Sequence, residues 1–155
     1  TGKLFEASSA LGALLAKSTP EQYAAAEAYG RHIGTAFQLI DDILDYTADA
    51  AQMGKNAGDD LREGKPTLPL IYLLDHGTEA QKKLVRGAIE QAEELPEDLF
   101  QQVYQAIMES DALAYTQAAA EREARLAEET LQCFPMNEAT QSLLDLCAYS
   151  LKRST

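Results

Sequence analysis

The sequence predicts an all-α protein, and three observations support this. Apolar residues recur at helical spacing through most of the 155 residues, several segments open with helix-capping residues, and no segment shows sustained alternation of apolar and polar residues. Hydrophobic residues make up 46% of the chain and no apolar run approaches the length of a membrane span, which predicts a globular protein without a transmembrane segment. A chain of this length can bury its own core, so we expect a single all-helical domain over residues 1–155.

Two helices are predicted in the first third of the chain. Residues 4–17 are rich in alanine and leucine, and their small side chains permit close helix approach. A second helix begins at Thr19, which suits the N-cap, while Pro20 suits the first helical position and Gln22 lies where a capping box places its partner. Apolar residues then follow a 3.6-residue period to about Tyr46, which gives a helix roughly 40 Å long.

The rest of the chain predicts five further helices. A short buried helix covers residues 68–76, and Thr78 with Gln81 forms a capping box for the next. The predicted ranges that follow are 79–94, 98–109 and 111–133. Pro135 and Asn137 separate them from a last helix with Leu143, Leu144, Leu146, Cys147 and Leu151 on its inner side. The charged residues of the 111–133 helix are expected to face solvent; they are Glu121, Arg122, Glu123, Arg125, Glu128 and Glu129.

Carboxylates concentrate at the C-terminal end of the second helix. One helical stripe contains Gln38, Asp42, Asp45 and Asp49, and Asp41 flanks it. Two carboxylates about 6 Å apart repel by roughly 3 kcal/mol at an effective dielectric near 20, but by under ~1 kcal/mol in open water. The stripe is therefore either a solvated helix face or a site that binds cations. Mg²⁺ suits such a site, because it uses one or two carboxylates together with substrate phosphates.

A loop punctuated by glycines follows the acidic stripe. Lys55 lies between Gly54 and Gly58, and Lys65 comes just before a helix that begins near a proline. Lysine is a compact point charge suited to phosphate. Either lysine alone is equally compatible with a charge on a loop surface. Two lysines beside three aspartates instead indicate a site for metal ions and a diphosphate.

Charge and the less common residues narrow the function further. The formal net charge of −12 argues against a nucleic-acid partner, since phosphate backbones need a basic surface. It is compatible with a diphosphate, because bound cations reverse the local field. Cys133 and Cys147 lack metal-binding context and lie in apolar helical patterns, so we expect reduced, buried thiols. His32 and His76 have no ligand partner one turn away, so we expect them at the surface or at helix ends.

The segments FQLIDDILD and GKNAGDDLREGKPTLPL resemble the second aspartate-rich motif and the downstream loop of the trans-isoprenyl (polyprenyl) diphosphate synthases. The resemblance is closest to the long-chain bacterial enzymes of the octaprenyl diphosphate synthase type, and it runs through the whole chain in order. It implies the C-terminal helices of the isoprenoid synthase helical bundle. It also implies an enzyme that condenses an allylic diphosphate with isopentenyl diphosphate into a long all-trans polyprenyl diphosphate, octaprenyl in length, for quinone side chains.

The same resemblance implies roles for individual residues. The implied Mg²⁺ ligands are Asp41, Asp42 and Asp45. The implied substrate-binding residues are Thr1, Gln38, Lys55 and Lys65. Among these two groups, the residues expected to act in catalysis are Asp41, Asp42 and Lys55. Thr1 matches the threonine of the family's Lys-Thr element, and Gln38 either contacts the substrate or orients an aspartate.

The resemblance further implies a cytoplasmic homodimer, in which the alanine-rich first helix forms a dimer contact rather than a tunnel wall or ordinary core. The chain has no initiator methionine and one aspartate-rich motif, so we expect the C-terminal portion of a longer synthase, inactive by itself. Two alternatives stay open. One is a class I terpene cyclase, which the GKxxGDD loop disfavours, and the other is a catalytically silent subunit that binds a partner chain.

Overall fold

The computed structural model describes residues 1–47 and 58–152, and the regular secondary structure within these two ranges is all helical. The helices are α1 (Gly2–Leu15), α2 (Pro20–Thr47), α3 (Asp59–Arg62), α4 (Leu68–His76), α5 (Glu79–Glu90), α6 (Glu97–Met108), α7 (Ala112–Thr130) and α8 (Glu138–Lys152). The all-α prediction is confirmed. The chain divides into two compact units, Thr1–Ile40 with Ala118–Thr155, and Asp41–Gln117; the single domain over residues 1–155 stays a prediction.

The predicted helix starts are formed by the expected capping boxes. At α2, the Thr19 amide donates to Gln22 Oε1 at 3.2 Å and the Gln22 amide donates to Thr19 Oγ1 at 3.2 Å. At α5, Thr78 and Gln81 exchange the same pair of bonds at 2.8 and 3.3 Å. At α8, the Thr140 amide donates to Asn137 Oδ1 at 3.0 Å. These bonds satisfy amides that have no partner inside a helix.

The first unit brings α1 close to the first half of α2. A Cβ atom at Gly30 would overlap the Phe5 carbonyl oxygen, and one at Gly34 would lie 2.9 Å from Phe5 Cβ. Only glycine permits this approach, because any side chain would enter the neighbouring backbone. The buried core of the unit also includes Tyr29, whose hydroxyl donates to the Leu143 carbonyl at 2.9 Å.

The second unit contains a large hydrophobic cluster of described residues. Its fully buried members include Tyr46 from the end of α2, Leu61 from α3 and Leu70 from α4. Tyr104 on α6 closes over Tyr46: its hydroxyl donates to the Tyr46 carbonyl at 3.1 Å, and the two rings lie 6.3 Å apart. The last turn of α2 is thereby held against α3 and α6.

Three details differ from the sequence prediction. Leu143 and Leu146, predicted on the inner side of α8, are 38% and 42% exposed. Glu123, predicted to face solvent, accepts from His32 Nδ1 at 2.8 Å in a partly buried contact. The helices α5 and α7 end earlier than predicted, because a short 3₁₀ turn takes over near each C-terminus.

Two further predictions concern thiols and membranes. Cys133 and Cys147 are both free; Cys147 is buried as predicted, whereas Cys133 is only partly buried. Within residues 1–47 and 58–152, no helix combines the length and the apolar character needed to cross a membrane.

Candidate functional site

The three predicted aspartates lie on the last turns of α2. Asp42 is buried, with 6% of its surface exposed, while Asp41 and Asp45 are partly buried. Helix geometry separates Asp42 and Asp45 by about 60° around the axis, so both occupy one side of α2. Burial at this position is unusual for a carboxylate and argues against a purely solvated face.

The chain folds back onto Asp45 after the glycine-punctuated loop. The Gly58 amide donates to the Asp45 carbonyl at 2.8 Å, and the Asp60 amide donates to Asp45 Oδ2 at 3.2 Å. Gly58 adopts the left-handed conformation, with φ at 77°, immediately before α3. The fold-back brings α3, with Asp59 and Asp60, to the end of α2 that carries Asp42 and Asp45, and we call these four carboxylates the acidic cluster.

Electrostatics within the acidic cluster disfavour negative charge on Asp45. Burial raises the pKa of the Asp45 carboxyl to about 6, and the charges of Asp60 and Asp59 add to this, although the hydrogen bond from the Asp60 amide opposes it. A carboxylate placed among other carboxylates and partly removed from water is stabilised by a nearby cation.

Lys65 supplies positive charge at the edge of the acidic cluster. Its ammonium group lies 3.0 Å from Asp60 Oδ1 and 2.5 Å from Glu63 Oε2. These two partners raise the pKa of Lys65, Glu63 first. The side chain is 55% exposed, so these ion pairs are weakly held and can exchange partners.

The aromatic ring of Phe100 contacts the segment that folds back onto Asp45, which consists of Gly58 and α3. A Cβ atom at Gly58 would lie 2.5 Å from Phe100 Cε2, so the glycine backbone rests directly on the Phe100 ring. The Arg62 guanidinium lies 3.9 Å from the centre of the same ring and 2.9 Å from Glu97. Phe100 therefore contacts both ends of α3 and determines where Asp59 and Asp60 lie.

The structure brings together part of the predicted site. Asp41, Asp42, Asp45 and Lys65 lie in the second unit, where Lys65 and Asp45 both contact Asp60. Thr1 and Gln38 belong to the first unit, and both are exposed. The Thr1 hydroxyl makes no capping bond to α1. Lys55 and Asp49 lie outside the described residues.

Sequence reasoning did not assign the residues that complete the acidic cluster. Asp59 and Asp60 follow a glycine in the motif GDD, and a glycine next to paired carboxylates was the available signal for a tight fold-back. The position of Phe100, about forty residues further along, left no such signal.

The acidic cluster does not form a complete metal site by itself. Among the residues that the structure describes, no three Asp, Glu, His or Cys side chains are grouped so as to hold a metal ion. This donor set fits Mg²⁺ rather than a fully caged ion, since Mg²⁺ uses few protein carboxylates and takes its other ligands from water and substrate phosphates.

Comparison with known proteins identifies the family. The family model for polyprenyl synthetase matches residues 1–107. The chain belongs to the polyprenyl synthetase family. The matched residues include all of α1 to α5 and the acidic cluster, so the predicted resemblance is confirmed.

The relatives of this family member include long-chain synthases. The chain is 44% identical over 153 residues to octaprenyl diphosphate synthase of Escherichia coli K12, covering 99% of this chain and 47% of that protein. It is 41% identical over 154 residues to octaprenyl diphosphate synthase of Haemophilus influenzae, with 99% and 46% covered. The chain therefore spans about half the length of the curated relatives it matches.

Solved structures agree with this assignment. The polyprenyl synthase of Caulobacter crescentus, complexed with calcium and isoprenyl diphosphate, superposes with a TM-score of 0.87 at 36% identity, covering 100% of this chain and 47% of that one. The decaprenyl diphosphate synthase of Rhodobacter capsulatus gives a TM-score of 0.87 at 32% identity, with 100% and 47% covered. The isoprenyl synthase fold predicted from the sequence is confirmed.

Proposed function

We propose that the protein carrying this chain condenses an allylic diphosphate with isopentenyl diphosphate to make a long all-trans polyprenyl diphosphate. An octaprenyl product for quinone side chains is proposed because the relatives in Escherichia coli and Haemophilus influenzae are octaprenyl diphosphate synthases. The observation that carries the proposal is the fold-back of Asp60 onto Asp45, which gathers partly buried carboxylates beside Lys65. Family membership favours this reaction over that of a terpene cyclase.

We assign the aspartates to metal binding and the lysines to direct contact with the diphosphate. Asp41, Asp42 and Asp45 would hold Mg²⁺, which when bound neutralises the diphosphate charge as the leaving group departs. Lys65 would exchange Asp60 and Glu63 for a phosphate oxygen, since its present ion pairs are exposed. Lys55 is proposed to contact the same leaving group.

Two further residues that we propose to bind substrate, Thr1 and Gln38, belong to the first unit. Thr1 would donate its hydroxyl to substrate, and Gln38 would contact the substrate or orient an aspartate. Both side chains are exposed in this chain. Stabilising the departing negative charge and excluding water from the allylic cation are the two tasks that such a site must perform.

The proposal is tested by the binding of Mn²⁺ with inorganic pyrophosphate to the 155-residue chain, measured by isothermal titration calorimetry. Mn²⁺ prefers the same oxygen ligands as Mg²⁺. We expect Asp42→Asn to weaken Mn²⁺ binding by more than the ~10-fold that loss of a supporting hydrogen bond typically costs. Lys65→Ala should weaken pyrophosphate binding. Lys83→Ala, an exposed lysine on α5, is the matched control and should change neither; equal losses in all three variants would contradict the proposal.

Turnover is a separate question. The chain contains one aspartate-rich motif, so we expect the 155 residues alone to bind the diphosphate without condensing it with isopentenyl diphosphate. Incubation with a radiolabelled isopentenyl diphosphate, an allylic diphosphate and Mg²⁺ measures this. Polyprenyl product from the purified chain would show that these residues form a complete active site.

A second candidate function is that of a subunit that works only with a partner chain. One relative, 36% identical over 153 residues, is component 2 of the heptaprenyl diphosphate synthase of Geobacillus stearothermophilus. We also propose that the protein works in the cytoplasm, because two free cysteines suit a reducing compartment. A homodimer is proposed because leucine side chains on α1 are exposed.

A further inference from the structure

The hydroxyl group of Tyr46 is buried without a hydrogen-bond partner among the described residues. The Tyr46 side chain is 1% exposed, and its oxygen is shielded from solvent and has no hydrogen-bond partner within residues 1–47 and 58–152. The hydroxyl of Thr67, just before α4, is buried and unsatisfied in the same way. Unsatisfied buried polar groups are rare in folded proteins, and each requires an explanation.

Packing does not explain the Tyr46 hydroxyl. An unpaired buried hydroxyl destabilises a fold by about 1–3 kcal/mol, and phenylalanine would fill the same space without it. The ring is held firmly, since Tyr104 packs against it and bonds to its carbonyl. Core packing therefore fixes the position of the Tyr46 oxygen, but the oxygen contributes no hydrogen bond to the core.

The surroundings of the hydroxyl point to the acidic cluster. Tyr46 follows Asp45 directly and lies one turn after Asp42, on the buried side of α2. Side chains on a helix lean toward its N-terminus, so the buried Tyr46 ring extends toward the turn that carries the buried Asp42. The Thr67 hydroxyl lies close enough to influence the Tyr46 hydroxyl, although the two oxygens do not meet hydrogen-bond geometry.

We propose that Tyr46 is a positioning residue for cation and diphosphate binding, whose O–H group donates a hydrogen bond to a carboxylate of the acidic cluster once that cluster binds a divalent ion. A carboxylate that uses one oxygen for a metal keeps lone pairs for a donor, and such supporting bonds orient metal ligands. Thr67 supplies a second hydroxyl for the same purpose. This inference rests on the proposed function, because it assigns a supporting group to the same site.

The test uses Tyr46→Phe and Thr67→Val in the 155-residue chain, with Mn²⁺ and inorganic pyrophosphate as the probe. Because the hydroxyl makes no bond in the metal-free chain, Tyr46→Phe should leave the metal-free melting temperature unchanged or raise it. In both Tyr46→Phe and Thr67→Val, the affinity for Mn²⁺ should fall on the order of 10-fold. Tyr115→Phe, which removes the hydroxyl of an exposed tyrosine in the same unit, is the control and should alter neither quantity.

The outcomes separate this inference from the proposed function. If the wild-type chain binds Mn²⁺ with pyrophosphate but Tyr46→Phe binds it equally well, the positioning role is wrong and the proposed function stands. If Tyr46→Phe lowers the melting temperature without metal, the hydroxyl serves the fold itself, and the inference is overturned. If the wild-type chain does not bind Mn²⁺ with pyrophosphate at all, the proposed function fails first.

Discussion

At the residue scale, Asp45 lies where its charged form is disfavoured. Burial raises the pKa of its carboxyl from an ordinary 3.8 to about 6, with help from the charges of Asp60 and Asp59. The stability linked to the protonated form is therefore fully present below about 3.8 and is lost as the pH rises through about 6. At neutral pH the metal-free chain retains a charge that works against folding.

Asp45→Asn should stabilise the metal-free chain at neutral pH, because the amide is neutral and can still accept from the Asp60 amide. The full pKa difference corresponds to about 3 kcal/mol, but the side chain is partly exposed, so solvent screening reduces the expected gain to about 1 kcal/mol. Thermal denaturation in a chelator measures this. The gain should shrink as the pH falls below about 6.

The matched control for this change is Asp75→Asn, an exposed aspartate on α4, which should alter stability by less than about 0.5 kcal/mol. The same Asp45→Asn variant should bind Mn²⁺ with pyrophosphate more weakly than the wild type. A variant that is less stable than the wild type at neutral pH would show that the Asp45 charge is satisfied within the chain.

At the element scale, contacts of Gly58 and Phe100 stabilise the short helix α3, which is too short to be stable by itself. Four residues cannot sustain a helix alone, and α3 is instead fixed between the Gly58 bond to Asp45 and the contact of Arg62 with Phe100. In Gly58→Ala, the alanine would have to adopt a positive φ, and its Cβ atom would lie 2.5 Å from the Phe100 ring.

We expect Gly58→Ala to lower the free energy of unfolding by about 1–3 kcal/mol, and to weaken Mn²⁺ binding because Asp60 moves with α3. Urea denaturation and calorimetry measure the two effects. Gly87→Ala is the control: it lies in α5 with no contact closer than 3.7 Å, and alanine favours a helix over glycine. Equal stability of the two variants would mean that the Phe100 contact does not hold α3.

The helices differ in whether the sequence alone predicts them. The starts of α2 and α5 were predictable because a capping box depends on residues three apart, such as Thr19 with Gln22. The helix α3 was not predicted, because it depends on Phe100, which is distant in the chain. The acidic stripe on α2 was predictable from helical spacing, whereas the partners Asp59 and Asp60 depend on the fold-back.

Tyr46 illustrates a further limit. An aromatic residue at helical spacing predicts a place in the core, and Tyr46 does lie there. Its unsatisfied hydroxyl is visible only when every neighbouring atom is known. Likewise, lysine near aspartates predicted phosphate binding by Lys65, but its present ion pairs with Asp60 and Glu63 needed coordinates.

At the scale of the whole molecule, apolar side chains remain in contact with water. On α1, Leu4, Leu11 and Leu15 are 70%, 54% and 75% exposed, and their spacing places them along one side of the helix. Covering a leucine contributes about 1.5–3 kcal/mol when burial is complete. An exposed stripe of this kind favours association with another apolar surface.

We therefore expect the chain to self-associate through α1, with an average mass that rises with concentration in sedimentation equilibrium. Leu11→Gln combined with Leu15→Gln should lower the association constant on the order of 10-fold or more, because two leucines then lose their apolar contacts. The change should leave the melting temperature nearly unaltered, since both side chains already face water. Met108→Gln, which removes an exposed apolar side chain on α6 in the second unit, should leave association unchanged; if it reduces association as strongly as the double variant, general hydrophobicity rather than the α1 stripe drives the contact.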